Sequence, residues 1–117
     1  MNPHDFYEAI GASYPNALRR LSNDERISKY LHMFLKDTSF LQVKETIEKK
    51  DYVNAFRAIH TLKGLCLNLE LTPLAEAASE LTEFLRQTPL DTLDEKALNK
   101  KYSKVDAEYH KIRTLLE

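Results

Sequence analysis

The chain has 117 residues, with 17 Lys and Arg against 18 Asp and Glu, a net charge of −1, and 43% apolar and 30% charged residues. This length suits one domain, expected over residues 1–117, that buries a core without staples, and so even a charge lacks the basic excess of a nucleic-acid binder. The single cysteine, Cys66, excludes an internal disulfide and a multi-cysteine zinc site.

No apolar run approaches the roughly 20 residues needed to span a bilayer. Met1 to Ile10 lacks the charged-then-apolar order of a signal peptide. The expectation is a cytoplasmic, soluble monomer with no membrane partner. Two glycines and four prolines are few breakers for this length, and Leu, Ala, Glu and Lys favour helix. No alternating run of Val, Ile or Thr reads as a strand. The fold class is all-α.

Asn2-Pro3, a cap followed by proline, opens a short helix to about Ala12. Tyr14-Pro15 restarts the chain, and Ala17 to Leu21 forms another short helical turn. Ser22 and Glu25 have the capping-box spacing and open a long helix over residues 24–49, with a kink or break at Asp37-Thr38-Ser39. Asp51 caps a helix over 51–69. Thr72-Pro73 opens one over 73–87, which Thr88-Pro89 stops. Asp91 to Asp94 leads into a last helix over 94–116.

Apolar seams run along these helices. They comprise Ile27, Leu31, Phe34, Leu41 and Ile47 in the first, and Ala55, Ile59, Leu62, Cys66 and Leu69 in the second. The third has Leu74, Ala78, Leu81 and Leu85; the last has Leu98, Tyr102, Val105, Tyr109, Ile112 and Leu116. A helix with one apolar stripe needs a partner to cover it. Four such helices on short links predict an antiparallel four-helix bundle, with the short N-terminal helices packed at one end.

The second long helix carries a further stripe. At about 100° per residue, His60 points away from the seam centred near Ile59 and Cys66, toward water or a partner. Val53, Phe56, Gly64 and Leu67 lie on its side, with Lys63 at the flank. Phe56 is expected to pack under the N-terminal helices. A mid-helix glycine costs about 1 kcal/mol relative to alanine, and Gly64 sits one turn after His60, where it clears space beside the imidazole. Imidazole is a nucleophile near neutral pH. A phosphoryl group on it brings about two negative charges, and Lys63, three residues on, can supply the compensating ammonium. Phosphoryl transfer asks for positioning and charge neutralisation more than covalent machinery.

The run Ala58-Ile59-His60-Thr61-Leu62-Lys63-Gly64, with Asn68 eight residues after the histidine, resembles the signature of histidine-containing phosphotransfer (HPt) domains. The likeness extends to Asp51, the Thr72-Pro73 restart and the four-helix plan. It implies that His60 accepts the phosphoryl group, Lys63 assists it and Gly64 keeps the site accessible. Arg86 falls where some members place a basic residue on the neighbouring helix. The partner-binding residues expected on this basis are Val53, Phe56, Arg57, Leu67, Asn68 and Arg86. The resemblance implies shuttling of phosphoryl groups between aspartates of response-regulator receiver domains, with a hybrid histidine kinase as a further partner. It implies no intrinsic cofactor or metal, and Mg²⁺ on the receiver. The chain departs from the pattern at Leu67, where many members have a small residue, and at Glu70-Leu71, where many have glycine ten after the histidine.

Other readings fit less well. A histidine-kinase dimerisation domain usually has an acidic residue after its histidine and a proline soon after; here Thr61 follows and no proline appears until Pro73. The phosphotransfer module of a chemotaxis kinase shares the His-Thr-Leu-Lys-Gly run but opens a much longer chain. A metal-carboxylate bundle needs Glu-x-x-His on inward faces, and Met1, Lys29, Arg57 and Ala107 stand three before the four histidines. His4 and Glu8 read as a surface pair, His32 and His110 as surface residues, and Cys66 as an inert buried thiol. The remaining alternative is a helical adaptor that binds a receiver or kinase without being phosphorylated.

Overall fold

The computed structural model describes residues 1–117 and is all-helical. In chain order the helices are α1 (Pro3–Ile10), α2 (Tyr14–Leu21), α3 (Asp24–Lys36), α4 (Ser39–Glu48), α5 (Tyr52–Asn68), α6 (Thr72–Gln87) and α7 (Glu95–Leu116). None is long and apolar enough to cross a membrane.

Local chemistry sets the boundaries. The Asn2 side chain accepts the Asp5 N–H, and Gly11 ends α1 in the left-handed region at φ 76°. α2 begins at Tyr14, earlier than the turn expected from Ala17, because Ser13 Oγ accepts the Asn16 N–H at 3.1 Å. Ser22 does not cap α3 as expected. It ends α2 at φ 88°, whereas an N-cap needs extended backbone; Asn23 has that conformation and accepts the Arg26 N–H at 2.8 Å. Thr72 likewise makes no cap bond: it is the first residue of α6, and Pro73 fills the first turn, where a missing N–H costs little. Asp51 and Asp94 do cap α5 and α7 through their carboxylates.

The helix expected over 24–49 with a kink or break at Asp37-Thr38-Ser39 does break there, into α3 and α4. Asp37 takes extended backbone and its carboxylate accepts the Ser39 N–H at 2.8 Å, which starts α4 in a new phase. The seam therefore does not continue through Leu41, which is 50% exposed; Phe40 and Val43 turn inward instead. Phe40 stacks on Tyr109 of α7, with ring centroids 3.9 Å apart and planes 9° from parallel.

Helices α4, α5, α6 and α7 form the antiparallel bundle, in which each helix packs on the next in sequence, and the whole chain is a rod of 46 × 21 × 19 Å. Its core runs through Val43, Ile59, Leu62, Leu74, Leu81, Leu98, Val105 and Ile112, all essentially sealed from solvent. The first three helices close one end. Buried Tyr7 donates its hydroxyl to the Leu69 carbonyl at 2.6 Å, Arg20 pairs with Glu70 at 2.9 Å, and Arg113 reaches the Leu35 carbonyl. Glu70 sits in the left-handed region at φ 56°, ending α5. Burial first, and the Glu70 carboxylate second, push the Tyr7 phenol far above its ordinary range, so it stays a donor at any physiological pH. Tyr7→Phe leaves the buried Leu69 carbonyl without that donor. It should cost about 1–3 kcal/mol in urea unfolding; an unchanged midpoint would show that the clamp contributes nothing.

Candidate functional site

The candidate site lies on α5. Ala55, Ala58, Ile59, Leu62 and Cys66 are buried in the bundle, and the helical period turns His60 to the surface. Burial first, and Asp37 second, push the Cys66 thiol up to about 12, which keeps it protonated and inert. His60 is exposed, as is Gly64 one turn on. A Cβ built on Gly64 meets nothing within 4 Å, so open space lies beside the imidazole.

Among the four histidines only His60 has both ring nitrogens without a protein partner. His4 lies between the Asp5 and Glu8 carboxylates at 3.2 and 3.5 Å. His32 and His110 each engage the carbonyl one turn back, Ser28 and Asp106, at 2.7 and 2.9 Å. His4, Asp5 and Glu8 stand close enough to hold an ion, but all three are exposed and already satisfied by one another.

The surroundings of His60 are partly apolar. Val53 and Leu67, one heptad to either side, are 54% and 51% exposed. At about 1.5 Å per residue they stand roughly 10 Å from His60 in each direction along the axis. The Phe56 ring is 6.0 Å from the imidazole, and the Arg86 guanidinium from α6 lies 5.5 Å from the Phe56 centroid. Phe56 therefore does not lie under the N-terminal helices, which pack at the opposite end of α5, near Leu69; α6 covers it instead.

The two flanks differ. Lys63 is half-buried, makes no ion pair, and lines a groove of about 330 Å³ with Leu67, Glu70, Ser79 and Arg20. Arg57 is on the other flank, in a polar furrow against α4 with Glu45, Lys49 and Thr61. Asn68 lies on that flank too, at an apolar hollow with Tyr30, Met33 and Leu65. The structure thus gathers Val53, Phe56, Lys63, Gly64, Leu67 and Arg86 around His60, and sets Arg57 and Asn68 to one side.

Two charged residues near the site do not follow from the signature. Glu83 binds Arg86 through Nη1 at 2.6 Å; its spacing of three from Arg86 is the sequence signal. Arg20 arrives from α2 by tertiary packing alone. Chemically, the face offers an accessible nitrogen nucleophile, one cation, Lys63, within a helical turn, and a second, Arg86, on the far side of Phe56.

The family model described as Hpt domain matches residues 29–116, most of the chain. No curated protein and no solved structure matches it.

Proposed function

This chain belongs to the Hpt domain family, and from that premise we propose that His60 is the residue on which it carries a phosphoryl group between receiver-domain aspartates. It is a histidine-containing phosphotransfer domain of two-component signalling. The observation that carries the assignment to His60 is its exposed ring with both nitrogens free, beside the open space at Gly64.

In the step proposed, a ring-nitrogen lone pair attacks phosphorus while the P–O bond to the partner's aspartate breaks. That bond's electron pair leaves with the carboxylate, and the second ring nitrogen keeps its proton. Lys63 offsets the charge on the phosphoryl oxygens. A Mg²⁺ held by the receiver would supply further charge neutralisation from the partner's side. Val53 and Leu67 form apolar contacts at the two ends of the docking face, and Phe56 and Arg86 form its α6 edge; an apolar patch around a charged centre suits a transient interface.

Incubation with a phosphorylated receiver tests this. A label that is stable in base, labile in acid and absent from His60→Gln supports the carrier. Tight receiver binding without label supports the adaptor. Gly64→Leu tests the steric role. A Cβ there meets nothing within 4 Å, the position is exposed and the helix gains about 1 kcal/mol of propensity, yet transfer should slow by about tenfold or more because the donor can no longer approach in line. Unchanged transfer in a stabilised protein would remove Gly64 from the mechanism.

A further inference from the structure

Arg86 is held on the α6 edge of the site by two contacts, with Glu83 and with Phe56. Its Nη1 donates to Glu83 Oε1 at 2.6 Å, and the other Glu83 oxygen takes the Gln87 amide at 3.4 Å. Its guanidinium carbon stands 5.5 Å from the Phe56 centroid, and Phe56 in turn stands 6.0 Å from the His60 ring. The guanidinium is therefore no farther from the imidazole than those two spans laid end to end, yet its charge is spent on Glu83. Lys63 forms no ion pair, although Glu70 and Glu76 line its groove.

We propose that Glu83 is a positioning residue that parks Arg86 away from His60 and so shortens the lifetime of the phosphohistidine. This rests on the reading of His60 given above. A dianionic phosphoryl group on the ring presents oxygens that accept a guanidinium as well as a carboxylate does, and in the same planar, two-pronged manner. Arg86 then has two acceptors to choose between. The pair with Glu83 is exposed, with side chains 49% and 40% accessible, so it is weak enough to be exchanged. The Phe56 face keeps the guanidinium near while it changes partner. Each increment of stability in the Glu83 pair is one that Arg86 must give up to reach the phosphoryl group.

The test uses the full chain labelled with phosphoramidate, which needs no partner domain, and follows loss of the phosphoryl group by ³¹P NMR. Glu83→Gln keeps the shape and removes the charge, and should slow the loss by about threefold. Arg86→Ala should speed it, and Glu83→Gln added to Arg86→Ala should change nothing more. That last comparison separates restraint of Arg86 from plain repulsion between Glu83 and the phosphoryl group, which would persist without the arginine. Decay of Glu83→Gln at the wild-type rate, or an effect of equal size in the Arg86→Ala background, overturns this proposal and leaves the carrier standing. A wild-type chain that takes no label, or takes the same label when His60→Gln is present, overturns both.

Discussion

His60→Gln ends phosphoryl acceptance and leaves the melting temperature within about 3 °C of wild type. Glutamine matches the ring's reach and polarity but has no nitrogen lone pair free to attack phosphorus, because the amide delocalises it. The transfer loss should therefore be complete rather than partial. The small thermal effect follows from position. His60 is exposed, donates and accepts no protein hydrogen bond, and lies 6.0 Å, ring to ring, from Phe56, which is itself only partly buried. Glutamine is also the better helix former by a few tenths of a kcal/mol. A melting temperature more than about 5 °C lower would make the ring structural. A label persisting in His60→Gln would move the acceptor elsewhere. The other three imidazoles are poor substitutes, since each already engages a carboxylate or a carbonyl. Stability of the label in base matters as much as its presence, because an acyl phosphate on any of the 18 carboxylates would be lost there.

The face around His60 was legible in the sequence because it sits inside one uninterrupted helix. Between Tyr52 and Asn68 nothing disturbs the period, so Ile59 inward and His60 outward follow from rotation alone. Leu41 shows where such counting stops. Its spacing from Phe34 is a heptad, but Asp37 and Thr38 lie between them outside any helix, and the extended backbone at Asp37 shifts the phase. Phe40 took the place assigned to Leu41 because stacking on Tyr109 buries a larger apolar ring. Spacing also placed Arg57 and Asn68 near His60 without saying which neighbour they meet. About 60–80° of rotation on one side leads to α4 and the N-terminal helices, and the same angle on the other leads to α6. Which is which depends on the handedness of the bundle, a property no single helix encodes. The same limit explains Arg20, whose pairing with Glu70 spans fifty residues of sequence. Glu70 itself is intelligible only with its backbone in view: at φ 56° a glycine would be unstrained, and the Arg20 pair partly offsets the cost of a side chain there.

Ile59→Ala, one residue from the candidate nucleophile, should have the opposite phenotype. Ile59 is fully buried, packed in the seam that α5 turns toward the bundle. Truncation removes three carbons' worth of apolar contact and leaves a cavity that flanking helices, each held by its own buried leucines, can close only in part. The expected loss is about 3–4 kcal/mol in denaturant unfolding. For a domain of this size that corresponds to a fall in melting temperature on the order of 10–20 °C. It is also a large share of the roughly 5–15 kcal/mol that holds such a domain folded. Below the new transition the folded molecules should still accept the phosphoryl group at close to the wild-type rate, since the surface carrying His60, Lys63 and Gly64 loses no contact of its own. The pair of adjacent substitutions thus measures the rotation of α5 directly. Chemistry lost without stability at 60, and stability lost without chemistry at 59, require the two side chains to lie on different faces of the same turn. A loss below about 1 kcal/mol at Ile59 would mean that the helix is rotated relative to its core, and the exposure of His60 would have to be reconsidered with it.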